Sequence, residues 1–212
     1  MRAVKSACVP LAWGLVLVAA TAVGCSHLSA QYVVPGYASD GPAAVKRIHI
    51  ATWAPKDAPG LAPVVAQVAS DLIKLRKNYL VHEILPWGPD NSAACGEGID
   101  GVVLVRIMDA HTAPSQKVTL HGALTLLRCQ DWAEVFRSEA KVTTAVREKS
   151  LEDLTATYRT QLGEIGGQWA APAFGLVQAL AEPLPDPHLS EQDIEEKIEL
   201  GALPSAVEII AG

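Results

Sequence analysis

The chain has 212 residues, 50% of them hydrophobic, with 17 basic and 23 acidic side chains and a formal net charge of −6. That length suits about one domain with a real core. An acidic balance with no basic patch excludes nucleic acid as the expected partner, and the absence of any repeat of roughly 20–50 residues excludes solenoids and propellers.

The N-terminus reads as an export signal. Arg2 and Lys5 form a short positive region, and Leu11 to Val23 is an unbroken run of apolar or small residues. Ala22, Val23 and Gly24 then precede Cys25. Small residues at the end of such a run mark a signal-peptide cut. A cysteine at that cut resembles a bacterial lipobox, with Ala22 where Leu is usual. The resemblance implies that Met1–Gly24 is removed and that Cys25 carries a lipid. Ordinary secretion with cleavage is the next reading. A retained anchor fits worst, because the stretch from Leu11 to Gly24 has 14 residues, short of the ~20 that span a bilayer. Pro10 also limits extension backwards. Removing Arg2 and Lys5 leaves a mature charge of −8.

Cys25–Ala44 is rich in Ser, Gly, Pro and Ala without periodicity, and reads as a flexible tether. By analogy with well-studied bacterial lipoproteins, Ser26 rather than Asp after the lipidated cysteine points to the outer membrane. The expected location is the bacterial cell envelope, facing the periplasm.

The domain is expected over Val45–Ala181. Val45–Trp53 alternates as a first strand, with Ile48 and Ile50 on one face. Leu61–Lys77 sets Leu61, Val64, Val65, Val68, Leu72 and Leu75 at helical spacing, and its last turn is basic, as the helix dipole favours. Tyr79–Leu85 reads as a second strand and Trp87–Asp100 as a loop. Gly101–Met108 is nearly all apolar and suits a central strand. Asp109–Gln116 reads as a loop, Lys117–Arg128 and Glu134–Val146 as strands. A helix follows Ser150 and ends at Gly166–Gly167, and another covers Ala170–Ala181 with Pro172 near its first turn. The expected fold is α+β, a single domain with a mixed sheet of about five strands covered by helices on one face.

Glu182–Gly212 differs in kind. Glu182 to Leu200 holds seven acids against Lys197 alone. Ser190 can cap a short helix, with Ile194 and Ile198 four apart. One reading is a solvated helix at the domain edge; the other is an acidic docking element for a basic partner. Such charge density argues against core packing.

Four segments carry a resemblance: CGEGIDGVVLV (from Cys95), LLRCQDWAEVFRSEA (from Leu126), YRTQLGEIGGQWAAPAFGLVQAL (from Tyr158) and LSEQDIEEKIELG (from Leu189). In this order they resemble an uncharacterised family of bacterial lipoproteins that pair a lipobox with one α/β domain and an acidic C-terminal motif. The resemblance implies a class and a location, and no catalytic residue. Where the family has Asp-Gly in the turn after the second cysteine, this chain has Asp131-Trp132.

No catalytic motif is readable. None of the six histidines has HExxH-type spacing; Asp109 and His111 are the nearest approach to a metal pair, more in keeping with solvent-facing polarity. Gly96-Glu97-Gly98 precedes a strand and lacks the Gly-Lys-Ser/Thr of a phosphate loop. No Gly-x-Ser-x-Gly elbow occurs. No metal site and no cofactor are expected. Two classes remain: a non-catalytic envelope lipoprotein that docks on another envelope component, and a periplasmic ligand-binding or enzymatic domain with an irregular site. The missing motifs favour the first.

A disulfide between Cys95 and Cys129 is expected. Cys8 leaves with the signal and Cys25 is taken by lipid, so two thiols remain outside the cytoplasm, where thiols oxidise. A turn at Asp109–Gln116 would set Met108 opposite Lys117 and bring Cys95 within a residue of facing Cys129.

Overall fold

The computed structural model describes residues 26–201, except 36, 40, 42, 43, 89–91, 116 and 147. The elements run β1 (Ser26–Val33), β2 (Arg47–Trp53), α1 (Leu61–Arg76), β3 (Leu80–Pro86), β4 (Gly101–Thr112), β5 (Lys117–Arg128), β6 (Glu134–Ala145), α2 (Glu152–Leu162), α3 (Glu164–Ala181) and α4 (Glu191–Glu199). They build one mixed sheet in the order β1-β6-β5-β4-β2-β3, an α+β fold.

The alternation in each strand sorts the two faces. Ile48, Ile50, Val103, Val105, Leu120, Leu124, Leu126 and Phe136 point to one side and are buried against α1 and α3. Each such side chain contributes roughly 1.5–3 kcal/mol relative to exposure. α1 offers Leu61, Val64, Val65, Val68, Leu72 and Ile73, whereas Leu75 is left exposed. Arg76 lies over the Phe174 ring, 5.9 Å from its centroid, where α1 meets α3. α2 packs on α3, and the Tyr158 hydroxyl donates to Asp71 Oδ2 of α1 at 2.7 Å. Burial and that carboxylate push the phenol well above its ordinary value.

β4, β5 and β6 form the expected antiparallel meander, and β2 pairs in parallel with both β3 and β4. β4 is therefore an inner strand, as its apolar run requires. Three details differ from the sequence reading. The sheet has six strands, because Ser26–Val33, read as tether, pairs antiparallel with β6 from Ser26↔Val142 to Val33↔Phe136. Its composition hid this: it is an edge strand with both sides wet, and Leu28 and Tyr32 stay 46% and 50% exposed, so it needs no apolar alternation.

Second, β4 runs to Thr112 rather than stopping at Met108. Asp109 and His111 are strand residues beyond a bulge between Ile107 and Asp109. Their polarity signals a solvated face, not a loop. Third, the helix break falls at Gly163 (φ 71°), and Gly166 and Gly167 lie inside α3. A Cβ on Gly166 would collide with the Tyr158 carbonyl oxygen, and one on Gly167 with the Arg159 side chain. These glycines let α2 and α3 approach closely. Pro172 consequently sits well inside α3.

Candidate functional site

The sheet face away from α1 and α3 carries both open polar groups and covering chain. Over β5 and β6 it is polar and open: Thr119 and Thr143 hydroxyls are 2.9 Å apart, and His121 Nε2 is 2.9 Å from Glu139 Oε1. Over β2, β3 and β4 it is covered by two pieces of chain, a disulfide-bonded loop and α4.

The loop between β3 and β4 crosses this face and shields Ala51, Val102 and Leu104 beneath Trp87, Ala94 and Cys95. His49 is 7% exposed under it, with Nδ1 3.1 Å from the Ala94 carbonyl oxygen. Cys95 and Cys129 are joined, with Cα atoms 5.4 Å apart. The expected pairing is right, but the expected strand register is not. Gly101 faces Arg128, so the strands do not carry Cys95 to Cys129. The loop does: a 3-10 turn at Ser92–Ala94 and Gly98 at φ 78° fold it back, and Cys129 N–H donates to the Asp100 carbonyl at 2.8 Å.

Trp132, two residues from the strand that follows, has φ 57°. This is the left-handed conformation that suits Gly. An L-residue there costs roughly 1–2 kcal/mol. Asp131 holds the turn: its carboxylate accepts from Arg128 Nε and Nη2 at 3.0 and 2.7 Å and from the Ala133 N–H at 3.1 Å. The Arg128 guanidinium, first, and that N–H keep the Asp131 carboxyl low, at about 2. Trp132 meets Trp87 edge to face with centroids 6.5 Å apart and remains 41% exposed.

α4 is docked at the start of β2 and β3. Its Ser190 cap forms as read from the sequence, as a full capping box with Asp193. Its isoleucines stay out of the core, as the charge density implied, and two polar residues hold the helix to the sheet instead. Asp193 and Lys197 are buried, 4% and 6% exposed, while Ile194 and Ile198 are 44% and 54% exposed. Asp193 accepts from Lys46 Nζ at 2.8 Å and from Arg47 Nη2 at 3.0 Å. Glu196 accepts from Arg47 Nε at 3.0 Å and from its Nη2 at 2.6 Å. Lys197 Nζ donates to the Lys77 carbonyl at 2.6 Å, past the end of α1. The Lys46 ammonium holds the Asp193 carboxyl well below the usual carboxylate range, and burial pushes the Lys197 ammonium down. The segment before α4 is laced to the same edge: Tyr79 hydroxyl donates to the Pro185 carbonyl at 2.6 Å and Asn78 N–H to Asp186 Oδ1 at 2.9 Å.

The two pieces meet through histidines. His82 Nε2 lies 3.1 Å from Glu196 Oε1, outside hydrogen-bonding alignment, and the His82 ring stands edge-on to His49 at 6.4 Å. A continuous strip thus runs from α4 through His82 and His49 to the disulfide, Trp87 and Trp132. Sequence reasoning missed its basic half, Lys46 and Arg47, which lay at a strand start and showed no motif.

Beside the disulfide is an open cavity of about 390 Å³ lined by Ala44, Val45, Ile99, Asp100, Arg128, Cys129 and Gln130. Its charged groups are already engaged: Asp100 accepts from the Lys46 and Arg47 backbone N–H groups at 3.1 and 2.8 Å, and Arg128 from above is paired with Asp131. Asp109 and His111 stay exposed on β4, and the described residues contain no group of three or more potential metal ligands. Cys25 lies outside the described residues.

No protein-family model matches the chain, and no curated protein sequence matches it. Its fold is similar to solved structures of PelC from Paraburkholderia phytofirmans. A PelC dodecamer is 11% identical with a TM-score of 0.51, over 78% of this chain and 99% of that one. A single-substitution PelC variant, also a dodecamer, is 12% identical with a TM-score of 0.49 over the same shares. At this identity the likeness concerns the fold alone.

Proposed function

We propose that the protein is a lipid-anchored component of the bacterial cell envelope, held by Cys25 in the outer membrane facing the periplasm, with a non-catalytic role of docking on other envelope proteins. The observation that carries this reading is the joined Cys95–Cys129 pair in a chain that opens with an apolar run ending in Ala-Val-Gly-Cys. A disulfide suits an oxidising compartment, and the leader supplies the route and the anchor. The resemblance to a lipoprotein family points the same way. Among the described residues no helix is long and apolar enough to cross a membrane.

Copies of the same chain are among the partners in this reading. β1 presents Leu28, Tyr32 and Val33, and the outer part of β3 presents Ile84, each more than a third exposed. Edge strands with exposed apolar side chains are templates for association, and the PelC fold neighbour is a dodecamer. The test has two arms. Metabolic labelling with a palmitate analogue should mark the wild-type chain and not Cys25→Ala. Light scattering on the detergent-extracted protein should give a mass above one chain. Unchanged labelling of the Cys25→Ala variant would refute the anchor, and a strictly monomeric mass at micromolar concentration would refute self-association.

A further inference from the structure

We infer that the anchored domain stands directly on the bilayer, with the sheet end that carries the β4–β5 turn facing the lipid surface; this rests on the lipid at Cys25. Ser26 is already the first residue of β1, paired with Val142 of β6. Cys25 is the residue bonded directly before Ser26 in the sequence. The attachment point is therefore bonded to a strand of the sheet. A flexible tether of twenty residues, by contrast, would let the domain range over roughly 25 Å.

The register fixes which end faces the lipid. β1 runs antiparallel to β6, so the chain leaves β1 backwards toward the C-terminal end of β6. Ser26 lies level with Val142, which faces Leu120 of β5, which faces Ala110 of β4. From there β5 continues three residues to Lys117, and the turn at Ala113–Ser115 lies beyond, so this tip reaches about 10 Å past the attachment rung. Its composition suits a headgroup layer. Pro114 and Ser115 are exposed and uncharged, Lys117 is exposed, and no acid occurs between Thr112 and Lys117. The Lys117 ammonium can meet lipid phosphate without burying an unpaired charge. β5, at 12 residues, spans about 40 Å. Its far end, with Arg128, the disulfide and α4, then points away from the membrane, which offers that strip to the periplasm.

The experiment uses the full lipidated chain in phosphatidylethanolamine–phosphatidylglycerol vesicles doped with a headgroup spin label. Ser115→Cys and Glu199→Cys each supply one reactive thiol for a fluorophore, because the other cysteines are bridged or lipidated. Quenching at position 115 should be at least threefold that at position 199. Inserting twelve Gly/Ser residues between Cys25 and Ser26 should bring the two within twofold while palmitate labelling persists. Equal quenching at both positions in palmitate-labelled, uninserted protein would overturn the orientation and leave the anchor standing. Loss of palmitate labelling from the uninserted chain would instead remove the anchor, and this inference with it.

Discussion

Replacing Asp193 by Ala should release α4 while leaving the sheet intact. The carboxylate closes the capping box by accepting from Ser190 N–H at 2.9 Å, and it accepts from Lys46 Nζ and Arg47 Nη2 at 2.8 and 3.0 Å. Loss of a cap costs about 1 kcal/mol. Hydrogen bonds to a charged group are worth about 1.5–3 kcal/mol each. Two discounts apply: the Lys46 and Arg47 side chains are 27% and 28% exposed, so water takes up part of the loss, and Arg47 keeps Glu196. The expected cost is about 2–4 kcal/mol. It falls on the opening of α4 alone, since local elements open at their own free energies. At ~1.36 kcal/mol per decade, amide hydrogen exchange in α4 should accelerate roughly 30- to 900-fold. Amides of β4 and β5 should be unchanged, and Glu195→Ala on the exposed side should change α4 by less than threefold. Equal acceleration in α4 and β5 would refute the idea that the clamp is a local latch. No acceleration at all would show that the exposed isoleucines, not the clamp, hold the helix.

Acid should act on the same latch. The folded Asp193 pKa is lowered by Lys46, so its contribution is complete above the unfolded value of ~3.9 and disappears as pH falls through the folded value; α4 exchange protection should hold from pH 7 to 5 and fall only below about 4. Denatured, unreduced mature protein should titrate with no free thiol and with two after reduction, and two before reduction would end the Cys95–Cys129 assignment. Reducing that bridge, which closes a sequence separation of 34 residues, should lower stability by roughly 3.5–4 kcal/mol on the chain-entropy model, read as the denaturant midpoint in paired oxidised and reduced samples. Trp132→Gly should be more stable than Trp132→Ala by about 0.5–1 kcal/mol, the left-handed penalty less the entropy that Gly gains in the unfolded chain; both lose the Trp87 contact, and equal melting temperatures would place the strain elsewhere.

The fold was largely legible because most elements keep a single period. β5 has the bounds read from its alternation, and α1 differs by one residue. Where reading failed, the burial that creates a pattern was absent. β1 is an edge strand and the outer third of β4 faces water, so neither had an apolar code to display. Gly166 and Gly167 look like breakers to any local rule, and only the closeness of α2 explains them. The disulfide was legible from the cysteine count and the export signal read at the N-terminus, whereas its geometry depends on a loop that no strand register describes.

The acidic segment shows how a distant surface decides which side of a short helix is buried. Helical amphipathicity assumes that the apolar stripe faces inward, which for α4 would bury Ile194 and Ile198. The surface it meets, however, is the start of β2, where Lys46 and Arg47 present two cations to the helix. Burying an isoleucine there would strip water from both cations without pairing them, and uncompensated buried charge costs several kcal/mol. Turning the helix pairs them with Asp193 and Glu196, leaves Lys197 to satisfy the Lys77 carbonyl, and puts two methyl-rich side chains into solvent, a loss of roughly 1.5–3 kcal/mol each at most. Orientation was therefore decided by the surface α4 lands on, 140 or more residues earlier in the chain. The acids that a sequence reading would offer to a partner are in part already spent within the chain, and what the helix shows outward is Ile194 and Ile198 between Glu191, Glu195 and Glu199. The outward side of α4 is therefore apolar ringed by acids, rather than acidic alone.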